Sequence, residues 1–115
     1  MKKIMFALTA CSMLTLQFCA SSKKTAISQP PAKITYLADV QPLVTAHCSP
    51  CHIPPKGFKK ALDNLDAVKN NIDEILQRIN LNPGEKGFMP FKHEKLSDST
   101  IHVFAQWKTD GLLEK

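Results

Sequence analysis

Read as a pattern of apolar and polar positions, the chain falls into three stretches. Residues 4–18 are mostly apolar, interrupted by Thr9, Ser12, Thr15 and Gln17. Residues 20–33 are polar and small and include Pro30 and Pro31. From Ile34 onward apolar residues recur at helical spacing. Val40, Leu43, Val44 and His47 share one helical face, with Asp39 placed to cap the helix and Pro42 tolerated in its first turn. Ala61, Leu65, Val68 and Ile72 continue the helical period, with a break near Asn70 and Asn71. Ile72, Ile75, Leu76 and Ile79 form the cleanest amphipathic stripe. Leu96, Thr100, Val103, Phe104 and Trp107 mark the inner face of a last helix that starts at Ser97 or Asp98 and stops at Gly111. Residues 53–60 read as a loop, and Asn82, Pro83, Gly84 and Gly87 open another. Almost no stretch alternates as a strand does, so the pattern predicts an all-α fold of three to five helices.

A chain of 115 residues has room for one domain. With 43% hydrophobic and 22% charged residues, four Gly and eight Pro, it is neither collagen-like nor wholly disordered. Its large aromatic side chains are six Phe, Tyr36 and Trp107. A small core of this kind usually needs a staple.

Lys2 and Lys3 before the apolar stretch make residues 1–18 an export signal, too short to span a membrane. The stretch ends in Leu16-Gln17-Phe18-Cys19, which resembles a bacterial lipoprotein processing site, with Phe18 where that family has a small residue. Leu8-Thr9-Ala10-Cys11 fits the motif better but leaves an implausibly short leader. The resemblance implies lipidation at Cys19 and a membrane anchor; the alternative is cleavage after Ala20 and release into the periplasm. Residues 19–33 then form an anchor and flexible tether, and residues 34–115 the folded domain. Counted from Lys33, eleven basic side chains face ten acidic ones, a net of +1. Without a basic bias or interleaved aromatics, nucleic acid is excluded as a partner.

The folded part keeps two cysteines, in Cys48-Ser49-Pro50-Cys51-His52. C-x-x-C-H is the attachment signature of c-type haem. Each thiol can add across one vinyl group of the same porphyrin, and the adjoining histidine is then held where it can ligate the iron. Three other readings of the pair stay open. Cys-x-Pro-Cys also occurs in thioredoxin-like thiol oxidoreductases, a zinc site would need a second ligand pair, and a disulfide would close only a very short loop.

Met89, the only methionine after the leader, lies in Gly87-Phe88-Met89-Pro90-Phe91, 37 residues beyond His52. A lone Met in a Gly/Pro loop is a candidate second iron ligand; the bland reading is a gap-filler in the core. His93 is the next candidate. His47 and His102 fit helix surfaces.

Taken together, the segment before the haem motif, Cys48 to His52, Met89-Pro90, and Leu96-Ser97-Asp98 leading to Trp107 and Gly111 resemble the small class I cytochrome c domains. The resemblance covers most of residues 34–115. It implies helices wrapped round one covalently attached haem c, with His52 and Met89 as axial ligands. It also implies a crossing of first and last helices that presses Leu43 and Val44 on Phe104 and Trp107. A backbone carbonyl near Pro54 or Pro55 would anchor the histidine. The function implied is single-electron transfer between redox proteins in the bacterial periplasm, by a monomer or a subunit of a respiratory complex, and not an enzymatic one. A haem enzyme or a gas or peroxide sensor with a displaceable Met89 is the alternative. Lys56, Lys59, Lys60, Lys86, Lys92 and Lys95 would ring the exposed haem edge and suit an acidic docking face.

Overall fold

The computed structural model describes residues 31–57 and 60–115. The leader and Cys19 therefore lie outside the described residues, as do Phe58 and Lys59. All regular structure among the described residues is helical: a π-helical turn at Tyr36–Val40, α1 (Gln41–Cys48), α2 (Leu65–Asn70), α3 (Ile72–Asn80) and α4 (Asp98–Thr109). No helix among them is long and apolar enough to cross a membrane.

The first helix starts three residues before Asp39. Thr35 is the cap position, and Asp39 reaches back so that its Oδ2 accepts from the Thr35 N–H at 2.7 Å. Asp39 thus serves the cap from inside the helix, much as a capping-box acid does. The turn is widened: the Gln41 N–H donates to the Tyr36 carbonyl, five residues back. Pro42 follows directly. It has no N–H to give, and its ring would crowd the carbonyl of Ala38 in a regular α-helix, so the looser winding accommodates it.

Ala61 lies outside α2, because Asn64 caps that helix by accepting from the Ala67 N–H at 2.9 Å. The break falls where the pattern predicts it. Asn71 ends α2 in a non-helical conformation, and its Nδ2 donates to the Ala67 carbonyl at 2.7 Å. α3 then lies along α4, with Lys108 Nζ 2.5 Å from Asp73 Oδ1 at their exposed seam. α4 opens at Ser97, whose hydroxyl accepts from the Thr100 N–H at 3.2 Å.

Trp107, Val40 and Val68 are fully buried, and Phe104 nearly so. The Tyr36 ring sits 5.9 Å from that of Trp107, tilted by 37°. The first helix therefore meets α4 mainly through its π-helical turn, one to two turns earlier than Leu43 and Val44. Ile101 is also buried, although the α4 pattern placed Thr100 and Val103 inward. A ring as well packed as Trp107 contributes about 3–5 kcal/mol, judged by truncation to Ala. Its Nε1 donates to the Leu113 carbonyl at 2.8 Å, fixing the chain beyond α4. That segment in turn accepts from the start of the domain, with Tyr36 N–H to Leu113 O at 2.8 Å and Leu37 N–H to Glu114 O at 3.1 Å.

Asp110 closes the same junction. Its carboxylate accepts from the Ile34 N–H at 2.7 Å and from Gln106 at 2.8 Å, and these bonds hold its pKa below the ordinary 3.8. A lowered folded value means stability that is present above the ordinary aspartate range and lost as pH falls through the lowered one. Asp110→Asn should keep an acceptor for Ile34 but lose the titration. Thermal melts from pH 6 down to pH 2 should then show a shallower acid limb in the variant than in the wild type.

Candidate functional site

α1 delivers Cys48 in its last turn, and the chain then folds back sharply. The His52 N–H donates to the Cys48 carbonyl at 2.9 Å, and the Leu62 N–H donates to the His52 carbonyl at 2.8 Å. His52 Nδ1 lies 2.7 Å from the Lys60 carbonyl. A carbonyl can only accept, so Nδ1 carries the proton, and the lone pair of Nε2 is left for another partner. Anchoring one ring nitrogen in this way is how proteins orient a metal-ligating histidine. The acceptor is Lys60, not a residue near Pro54 or Pro55.

The loop between them is held close. The Gly57 N–H donates to the Ile53 carbonyl at 3.0 Å. A Cβ at Gly57 would lie 2.7 Å from the Ile53 nitrogen and 2.9 Å from the Cys51 oxygen. Only glycine lets the backbone come so near the motif.

Met89 stands at the end of a second loop fixed by α3. Its N–H donates to the Arg78 carbonyl at 3.3 Å. The Arg78 guanidinium donates to the Gly87 carbonyl at 3.2 Å, and Gly87 has φ +96°, where a side chain is strained. Arg78 therefore grips both sides of Phe88, which is buried.

Cys48, Cys51, His52 and Met89 line one cavity of about 570 Å³. That volume lies in the range of cofactor sites, about 300–1,000 Å³. Leu62, Ile75, Ile79, Leu96 and Phe104 supply apolar wall, and Lys60, Glu74 and Arg78 supply charge. His93 and His47 also line it, both exposed, whereas Met89 is half-buried. His102 is exposed on α4.

Cys48 and Cys51 are free thiols. Burial pushes the Cys48 thiol up to about 11. A buried thiol held protonated is a poor nucleophile for disulfide exchange, which needs the thiolate. Among the described residues, no three His, Cys, Asp or Glu side chains converge as a zinc site requires. An imidazole, two thiols and a thioether around an apolar cavity do suit an iron porphyrin, whose ligands are histidine and methionine and whose attachment is through cysteine.

The lysines differ in their surroundings. Lys60 pairs with Glu74 at 2.5 Å, Lys95 donates to the Asn80 carbonyl at 2.9 Å, and Lys92 Nζ lies 5.4 Å from the centre of the Phe91 ring. Lys56 and Lys86 are exposed. The sequence reading placed Lys60 only among six lysines at the docking edge and missed Glu74 and Arg78. The four-residue spacing of Glu74 and Arg78 was the visible signal for their pairing.

Comparisons with known protein families, with curated proteins and with solved structures find no match for this chain.

The close approach at Gly57 makes a direct test. Gly57→Ala must displace backbone beside Cys51 and Ile53, and overpacking of this kind costs about 1–3 kcal/mol. Urea denaturation of the purified protein should show the midpoint lowered accordingly; an unchanged midpoint would mean that the loop is not seated there.

Proposed function

We propose that the chain is a monohaem c-type cytochrome that carries single electrons between redox proteins. The observation that carries this reading is the convergence of Cys48, Cys51, His52 and Met89 on one cavity of cofactor size. Cys48 and Cys51 would hold the haem covalently, and His52 Nε2 and the Met89 sulfur would be its axial ligands. When bound, the haem supplies a one-electron couple at its iron, at a potential that methionine ligation raises relative to two histidines.

The chain's own residues do the rest. The Lys60 carbonyl keeps the His52 ring in one tautomer and one orientation. Leu62, Ile75, Ile79, Leu96 and Phe104 give the cavity an apolar wall, which would disfavour water beside the haem. Arg78 fixes the Met89 loop from both sides. With His52 and Met89 both given to the iron, the chain would leave no ligand position for substrate, which suits a carrier rather than an enzyme. Residues 34–115 would then form a cytochrome c-like domain. Export of the chain, its anchoring to the bacterial cell envelope through Cys19, and docking of redox partners belong to the same proposal, whether the protein works as a monomer or in a respiratory complex.

A second reading draws on His93, which lines the same cavity from four residues beyond Met89. In it Met89 is displaceable and the protein binds peroxide or a gas.

Two measurements decide the matter. A pyridine haemochrome spectrum with intact mass should give one covalent haem c per chain after expression with the attachment machinery. A haem-free mass would overturn the proposal. Met89→Ala should keep that mass, lose the weak far-red sulfur-to-iron band of the oxidised protein and gain binding of carbon monoxide or cyanide. If His93→Ala opens the site instead, the second ligand is His93.

A further inference from the structure

Three charged side chains join the two loops that carry His52 and Met89. Lys60, whose carbonyl holds His52 Nδ1, extends its Nζ to within 2.5 Å of Glu74 Oε2. The other oxygen, Glu74 Oε1, accepts from Arg78, at 2.9 Å from Nε and 2.7 Å from the terminal nitrogen. Arg78 then donates to the Gly87 carbonyl and accepts the Met89 N–H. One carboxylate, with its two oxygens turned to two cations, thus spans from the histidine side of the cavity to the methionine side. All three side chains line the cavity.

We propose that Glu74 is a positioning residue: it clamps the Lys60 loop to the Met89 loop and so keeps Met89 at the site. The inference rests on the haem reading above. Each link is half-exposed, and an isolated exposed pair contributes little. The arrangement differs from an isolated pair because Arg78 is already fixed by helix α3 and by Gly87, and its fork meets the carboxylate through two nitrogens. Both hydrogen bonds, Lys60 first and Arg78 second, hold the Glu74 pKa below its ordinary value, in keeping with a carboxylate that stays charged. Glu74 lies in the first turn of α3, where the helix dipole favours an acid, and Asp73 shares that position, so a comparison of the two separates the clamp from the dipole.

A neighbouring ion pair provides the control. Asp73 and Lys108 are also exposed and also tie α3 to another element, but they join α4 and touch neither loop. The test measures displacement of the sixth ligand in the oxidised haem-loaded protein by titration with cyanide or imidazole, following the far-red band.

Glu74→Gln should bind the added ligand about three- to tenfold more tightly, as loss of one or two such pairs implies. Asp73→Asn should bind it as the wild type does. Salt raised to about 1 M, where the screening length falls to about 3 Å, should move the wild type toward the Glu74→Gln value and leave the variant nearly unchanged. The wild-type salt titration decides the point even if the variant is poorly produced.

Equal displacement in wild type and Glu74→Gln, or an equal gain in Asp73→Asn, would overturn the clamp. A preparation with covalent haem that behaves so rejects the clamp alone, whereas a preparation without haem rejects the reading beneath it.

Discussion

One hydrogen bond orders the histidine side of the molecule. His52 Nδ1 and the Lys60 carbonyl, eight positions on, meet at 2.7 Å and commit the imidazole to one tautomer. That bond forms only if the loop is pulled tight. The tightness is visible in the missing Cβ of Gly57 against Cys51 and Ile53, and in the Leu62 N–H returned to the His52 carbonyl. With Leu62 buried in the core, the loop is sealed at its far end by hydrophobic packing. A short motif becomes a wall of the cavity because both ends of its loop are fixed.

The opposite side follows a different logic. Between Asn82 and Met89 the one large apolar residue is Phe88, which is buried, while Phe91 beyond it stays exposed. The loop is placed by polar bonds to α3, through the carbonyl and guanidinium of Arg78. The histidine wall therefore rests on bonds within its own loop, closed by the buried Leu62, and the methionine wall on bonds to a helix. α3 can serve both because its inner face is isoleucine and its outer face carries Glu74 and Arg78.

The helices and the motif were legible because each depends on residues close in sequence. The isoleucine period of α3, the Ser97 cap and the break at Asn71 are local signals, and the structure keeps all three. The start of the first helix was misread because Asp39 looks like a cap, whereas it bonds backward to Thr35 from within a turn widened ahead of Pro42. Lys60 as the carbonyl partner of His52 left no trace, since any residue offers a carbonyl and only the fold of the loop selects one. Glu74 and Arg78 were visible as a pair but not as a bridge, because Gly87 and Lys60 are brought to them only by the fold. Ile101 was left out of the inward stripe in favour of Thr100, yet it is buried because α4 is covered on two sides, by α3 and by the Tyr36–Val40 turn.

The junction of Ile34, Tyr36 and Leu37 with Asp110, Leu113 and Glu114 sets how the domain would bear mechanical load. A pull on the chain ahead of Ile34 passes at once into the segment beyond α4, and through Trp107 into the centre of the core. Three backbone donors share that force, each bonded to a different residue of the terminal segment. The loops that carry His52 and Met89 lie outside this path. None of the donors and acceptors of that junction lines the cavity, so the residues that take up the pull are not the ones that face a cofactor.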